Sequence, residues 1–550
     1  MGHEWGHEKG LSFSAAKTHL VLFTQKTKYG EPRKQKIGDR ELEYEYEAKY
    51  LGLHLDSTLR WSNHLNVKLE KVRKLAYAVS KFTGRRWGLH PVLAKTIVTA
   101  VARPVLSYGS VVWAHSINKN KRKKLKKLNR LFIGFISKFN RSTPTHGMEM
   151  IFGLPPLELF LKTEAAKTQQ RILPLLDNIS WDSYGSGQQV GYRIKNDIFR
   201  DSIGMADLPI DKMAQVPNPL NKSPCSITIG DGNPTYNNSH LLFTDGSKMD
   251  DKTGFGWAFY IKTNDEFKLI KTCSGSLGST ATVYQAELYA VTSCLHWYWD
   301  FFQQKEEITV HSDNQSVLKT LPKTFLDSKL GYELASIIAE FPVSVSLEWV
   351  KAHCGIEANE KADELAKSGC EEIFAGPEPM LPIGKSANKS KWDMALRNGW
   401  LNFFHDLVDC RQSKMWFSHH RHRLTRDILN LPRGEIPKII AFLTGHNALM
   451  YHQNKVYKGL YSPLCRLCNN ENETIWHLTH ECIHTMDLHG LFRDDKNTLV
   501  VNVGIIKKFM KHPRLKKLFI YPEMDHDSEL DGDFPAVELE NDVDSDMFDQ

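Results

Sequence analysis

Cysteine is scarce and scattered: nine residues in a 550-residue chain, with a single CxxC pair, Cys465 and Cys468. That suits a reducing, intracellular setting better than a disulfide framework. No run of about 18 uncharged apolar residues occurs, so no transmembrane helix and no membrane partner are expected. The opening residues, MGHEWGHEKG, lack the apolar stretch of a secretory signal. Lys and Arg are missing from the last 28 residues, where Glu523–Gln550 hold twelve Asp or Glu. Without that tail the formal charge of +7 becomes 71 basic against 52 acidic residues, a net of +19. So basic a body favours polyanionic partners such as nucleic acid. The segment 523–550 reads as a disordered end, either screening the body or merely solubilising it.

The remaining composition, 41% hydrophobic and 25% charged, is that of a folded chain. Its length suits three or four domains of roughly 100–200 residues. Residues 1–155 read as short strands, KTHLVLFTQ and YLGLHLD, followed by amphipathic helices. The helix over PVLAKTIVTAVARPVLSYGSVVW is expected to break or kink near Pro104. The run NKNKRKKLKKLNR sets Lys119, Lys121, Arg122, Lys123, Lys124, Lys126, Lys127 and Arg130 around helically spaced Leu125, Leu128, Leu131 and Phe132. It is open as a phosphate-gripping helix, a nuclear import signal or a solvated face. Residues 156–238 read as a helical connection and a Gly-, Pro- and Asn-rich linker, 239–372 as a compact α/β unit, and 390–520 as a helical region.

Within 239–372 the order is strand, strand, strand, helix, strand, helix, strand, helix. HLLFTDGS is apolar until it delivers Asp245, with Gly246 opening a turn. VYQAELYAVTSCLHWYWDFF is a helix carrying Glu287 in its early turns; EITVHSD ends at Asp313, and NEKADELAK begins a helix bearing Asp363. Any one of these would more simply be a turn cap. Four carboxylates on rigid elements, without a Ser or His partner on a shared motif, point instead to divalent metals, which take hard oxygen ligands. Strand ends of α/β sheets commonly gather such groups.

The ordered motifs TDGS, AEL, SDN and NEKAD resemble type 1 ribonuclease H over about 130 residues. The resemblance implies an α/β, ribonuclease H-like mixed five-stranded sheet with flanking helices. It also implies an endonuclease that cuts the RNA strand of RNA–DNA hybrids with two Mg²⁺ (or Mn²⁺) ions and leaves 5′-phosphate ends. Asp245, Glu287, Asp313 and Asp363 would be its metal-binding catalytic carboxylates. His353, in KAHCGIEANEKAD, would be the mobile-loop histidine of proton transfer or product release. Ser247, Asn314 and Gln315 are candidate contacts to the hybrid backbone. Many members carry two adjacent asparagines, reaching the minor groove, where this chain has Val283 and Tyr284. Grip must then come from the backbone, Tyr284 or other segments.

The flanking segments YLGLHLDSTLRW, PVLSYGSVVWA, RSTPTHGMEMIFGLPPLEL and FLTGHNALMYHQNKV resemble the C-terminal half of Jockey- or I-type non-LTR retrotransposon polyproteins. Residues 1–155 would then be a polymerase palm edge and a mostly helical thumb. No Tyr/Phe-Ala-Asp-Asp box precedes Leu11, so reverse transcription by this chain alone is not expected. In CRLCNNENETIWHLTHEC, Cys465, Cys468, His477 and Cys482 have a spacing that suits a small structural zinc site. His480 or His484 could replace His477, and Arg466 and Trp476 could face nucleic acid. Three readings compete: a hybrid nuclease, a nucleic-acid-binding remnant without turnover, and an integrase or exonuclease of related fold. The order Asp, Glu, Asp, Asp with TDGS first favours the nuclease.

Overall fold

The computed structural model describes residues 8–520 except 11–13, 15–16, 25, 27–29, 31, 38–39, 85, 177–208, 214, 265 and 304–305. The acidic tail 523–550 and the connection from 177 to 208 therefore lie outside the described residues. Two compact units result. One joins Met1–Val79, Thr96–Phe132 and Pro155–Asp406; the other joins Ser80–Lys95, Ile133–Leu154 and Leu407–Gln550.

In the N-terminal part, strands Glu47–Tyr50 and Leu53–Asp56 pair antiparallel and lead into the helix Ser62–Ser80. Asp56 makes that entry: its carboxylate accepts the N–H groups of Thr58, Arg60 and Trp61. The helical run Pro91–Ser107 passes through Pro104 by widening into a π turn over Val98–Ala102. It then bends by 55° at Gly109 into Ser110–Ser116. The wide turn absorbs the proline ring and its missing N–H, so the break falls one turn later than Pro104. Among the described residues no single helix is long and apolar enough to cross a membrane.

The basic run forms the helix Lys119–Ile136, with Leu125, Leu128 and Phe132 buried. Its cations divide by face. Lys121 is buried and donates to the Ser116 carbonyl at 3.1 Å and to the Arg60 carbonyl. Arg122 pairs with Glu158. Lys119, Lys123, Lys126 and Lys127 remain exposed.

The α/β unit is built on one mixed sheet. Its strands are β1 (Ser226–Thr228), β2 (His240–Met249), β3 (Lys252–Thr263), β4 (Glu266–Ser276), β5 (Ile308–Ser312) and β6 (Val345–Trp349), in the order β4-β3-β2-β5-β6-β1. β2, β3 and β4 form an antiparallel meander, while β5, β6 and β1 run parallel to β2. The sheet thus has six strands rather than five. β1 comes from the stretch expected to be a linker and closes the open edge of β6.

Helices α1 (Val283–Phe301), α2 (Gln315–Thr320), α3 (Lys329–Glu340) and α4 (Glu357–Glu371) flank it. α1 starts at a capping box in which Thr282 and Gln285 satisfy each other's backbone N–H. Its Ala286, Ala290, Leu295 and Tyr298 pack with Leu242, Trp257, Phe259, Val310 and Leu347 in the core. α4 covers the other face with Ala362, against Leu241, Phe243 and Ala258.

Candidate active site and Cys/His cluster

Each carboxylate is delivered by a different element. Asp245 lies inside β2, opposite Gly256 of β3, because the strand continues to Met249 and the chain turns only at Asp250 and Asp251, both in the left-handed region. The turn expected at Gly246 is therefore absent. Gly246 serves close packing instead: a Cβ there would lie 2.6 Å from the Glu287 backbone nitrogen and 2.8 Å from the Ala286 Cβ. Without that side chain α1 descends onto β2, and Glu287, in its second turn, reaches Asp245. Asp313 follows the last residue of β5, whose Ser312 pairs with Thr244.

These three converge. Ligand oxygens of Asp245, Glu287 and Asp313 lie within 4.8 Å of one another. Burial comes first in pushing Asp245 up, to about 7, and the charges of Asp313 and Asp363 add to it. Glu287 is pushed well above its ordinary range by burial and by Asp245 and Asp313. Asp313 rises too, through burial and Asp363, and is partly relieved by His353 and by a hydrogen bond from Asn359. Glu287 Oε2 is buried and has no hydrogen-bond partner among the described residues. A cluster of mutually repelling, desolvated carboxylates with an orphaned oxygen fits a hard divalent cation such as Mg²⁺ or Mn²⁺.

Asp363 stands apart from that trio. On α4, its Oδ2 accepts from Lys367 Nζ at 2.6 Å, an i,i+4 ion pair. His353 is exposed on the loop between β6 and α4, with φ of 53°. Ser247 sits half-buried on β2, and its carbonyl accepts from the Cys370 thiol. Asn314 caps α2 by accepting from the Ser316 N–H at 2.9 Å, and it also hydrogen-bonds Glu287. Gln315 accepts from Lys319 at 2.7 Å. Tyr284 is half-buried, packed on the core and hydrogen-bonded to Thr320.

Three further residues act on the site. Asn359 is 3% exposed and bonds Asp313, with its own Oδ1 unpartnered among the described residues. Trp349 Nε1 donates to the Asp313 carbonyl at 2.9 Å. Lys367 holds Asp363. Asn359 and Lys367 lie within and just after the NEKAD motif, so their positions were the available signal.

Residues 237–371 match the RNase H family. The fold of this RNase H unit is the mixed sheet with flanking helices described above. Relatives of the chain belong to R1 non-LTR retrotransposons, in agreement with the flanking motifs. A 115 kDa protein of the type-1 retrotransposable element R1DM of Drosophila melanogaster is 24% identical over 176 residues, 32% of this chain and 17% of the relative. A retrovirus-related Pol polyprotein of element R1 4 of Nasonia vitripennis is 28% identical over 138 residues, 25% of this chain and 35% of the relative. The chain thus matches about a sixth to a third of the length of these two relatives. Similar solved structures include RNase H1 of Halobacterium salinarum, at 21% identity over 24% of this chain and 98% of that one (TM-score 0.20). LC11-RNase H1, solved in complex with an RNA/DNA hybrid, is 19% identical over 24% and 96% (TM-score 0.20).

In the second unit, one ligand atom from each of Cys465, Cys468, His477 and Cys482 lies within 4.8 Å of the others. Cys468 Sγ is 3.3 Å from His477 Nε2. Burial pushes the Cys465 thiol up to about 12. For Cys468 the opposing N–H groups of Asn470 and Glu471, with His477, outweigh burial and bring it down to about 6. Three thiols and an imidazole at this spacing suit tetrahedral zinc. His480 is engaged elsewhere, stacked on Trp476 at 3.8 Å and bonded to Thr479. The Arg466 guanidinium is forked onto fully buried Glu473, at 2.7 to 3.1 Å, and onto the Leu518 carbonyl, with 34% of the side chain exposed.

Proposed function

We propose that this chain is a divalent-metal-dependent endonuclease that hydrolyses the RNA strand of RNA–DNA hybrids, leaving 5′-phosphate and 3′-hydroxyl ends. No polymerase active site is proposed for these residues. The observation that carries the reading is the convergence of Asp245, Glu287 and Asp313, with Glu287 Oε2 unpartnered among the described residues, on a unit that matches the RNase H family.

Asp245, Glu287 and Asp313 would hold the cations, with Asp363 as fourth carboxylate once released from Lys367. Bound there, such ions supply an acidified water and neutralise charge at the scissile phosphate. The chain's own groups do the rest. Trp349 and Asn359 hold Asp313 in place. His353, whose charge reaches Asp313, would move a proton at its imidazole toward the departing 3′ oxygen. The 2′-hydroxyl distinguishes the RNA strand. Exposed Lys119, Lys123, Lys126 and Lys127 would meet further phosphates, the Cys/His cluster would hold a structural zinc and offer a second nucleic-acid contact, and the setting would be intracellular.

The test uses purified chain, labelled RNA annealed to DNA, and Mg²⁺ or Mn²⁺, with single-stranded RNA, duplex RNA and an Asp313→Asn variant as controls. Cleavage confined to the hybrid and abolished by the substitution is expected. Hybrid binding without cleavage would leave a nucleic-acid-binding remnant as the reading.

A further inference from the structure

The stretch just before residue 237, where the family match begins, is fastened to the site at three levels. Ser226, Ile227 and Thr228 of β1 pair with Ser346, Leu347 and Glu348 of β6. The Gly232 carbonyl accepts the Lys351 N–H at 3.1 Å. The N–H and hydroxyl of Thr235 donate to the Glu348 carboxylate at 3.1 and 3.2 Å. Glu348 is held in turn by the buried His311 at 3.1 Å, whose ring stacks on Phe243 at 4.4 Å, two residues before Asp245.

Trp349 lies between these fastenings. On one side is Gly232, where a Cβ would stand 3.0 Å from the indole ring and 2.7 Å from the Lys351 Cβ. On the other side the indole N–H holds the carbonyl of Asp313. Lys351 begins the loop that carries His353.

We propose that residues 226–236 are an arm of the catalytic unit, clamping Trp349 and Lys351 so that Asp313 and the root of the His353 loop keep their places. Trp349, Gly232 and Thr235 are positioning residues; none needs to touch substrate. Without the arm, β6 would be an open edge and Trp349 would lose the surface that sets its ring. A displacement of about 1 Å in a reacting group costs up to roughly a hundredfold in rate, so a small slip of Asp313 matters. The inference rests on the nuclease reading above for its kinetic consequence, but not for its structural one.

The experiment compares full-length Gly232→Val, strained both by its contacts and by a φ of 91°, with Gly230→Val, where nothing among the described residues lies within 4 Å of a Cβ. The Thr235 variants below separate the clamp from backbone strain. Three quantities are read: amide hydrogen exchange over 349–356, calorimetric Mg²⁺ affinity, and kcat and KM on hybrid. Gly232→Val is expected to exchange faster there, to bind Mg²⁺ several-fold more weakly and to lose roughly tenfold or more in kcat with little change in KM. Gly230→Val should match the parent. Thr235→Val, which leaves the backbone alone, should shift the same readouts less, and Thr235→Ser should restore them; this pair decides the matter if Gly232→Val does not fold. A folded Gly232→Val that matches Gly230→Val in exchange and Mg²⁺ affinity overturns the proposal. A parent that cuts no hybrid refutes the nuclease reading alone, and the arm is then judged on exchange and Mg²⁺ affinity.

Discussion

Lys367 Nζ lies 2.6 Å from Asp363 Oδ2, and Asp363 is the one predicted ligand that does not join the converging trio. An internal cation thus occupies the carboxylate that a second metal ion would need. Lys367→Met should leave Asp363 bare beside three other acids. Calorimetric Mg²⁺ affinity should then rise several-fold, while the metal-free melting temperature falls little, because exposed i,i+4 pairs contribute only about 0.3–0.5 kcal/mol. Unchanged Mg²⁺ affinity would show that the ammonium does not compete.

Protons compete for the same oxygens. Burial, then Asp313 and Asp363, push Asp245 from 3.8 up to about 7. A carboxyl raised on folding favours the folded state while protonated, so its contribution is complete below about 4 and is lost as pH rises through about 7. The metal-free parent should therefore lose stability over that window relative to Asp245→Asn, and its apparent Mg²⁺ affinity should climb with pH and level off above about 7. Melts of both chains in chelator, set beside Mg²⁺ titrations, check this. A pH-independent difference between the melts would count against the buried, repelled Asp245.

Gly246 predicts a steric outcome. Gly246→Val places its first carbon 2.6 Å from the Glu287 backbone nitrogen, so α1 must lift from β2. Overpacking of this kind costs about 1–3 kcal/mol. Here it should also separate Glu287 from Asp245, lowering Mg²⁺ affinity more than a core substitution of equal thermal cost such as Val310→Ala. Equal Mg²⁺ affinity in the two variants would mean that the helix is not held by this contact.

What was readable in the sequence follows from where the determining contacts lie. Asp245, Glu287 and Asp313 sit in short motifs whose neighbours are specific, so their convergence could be read from order alone, whereas Asp363 stands apart, paired with Lys367. Gly246 was misjudged because Asp-Gly usually marks a turn; the pairing with β3 carries the strand past it to Met249. β1 was invisible: Ser226–Thr228 is three residues among Pro, Gly and Asn, and it becomes a strand only because β6 offers an edge. Lys367 and Asn359 were in view but silent, since their meaning depends on which carboxylate each meets in space.

Arg466 has a tertiary role that its place beside the CxxC does not reveal: it holds Glu473, whose side chain is wholly buried while that of Arg466 is 34% exposed. Removing one partner of a buried pair typically costs about 3–5 kcal/mol, because the other charge is stranded. Arg466→Ala should fall toward the lower end of that range, given its exposure. The double substitution Arg466→Met with Glu473→Leu should recover much of the loss, since no charge is then left unpaired. Melting of the zinc-loaded and chelated chains separates this from metal loss: the Arg466→Ala penalty should persist in both, and chelation should lower the midpoint of the parent as well. If Arg466→Ala instead leaves the midpoint unchanged and weakens only nucleic-acid binding, the side chain faces ligand after all and the fork onto Glu473 is not what holds this region.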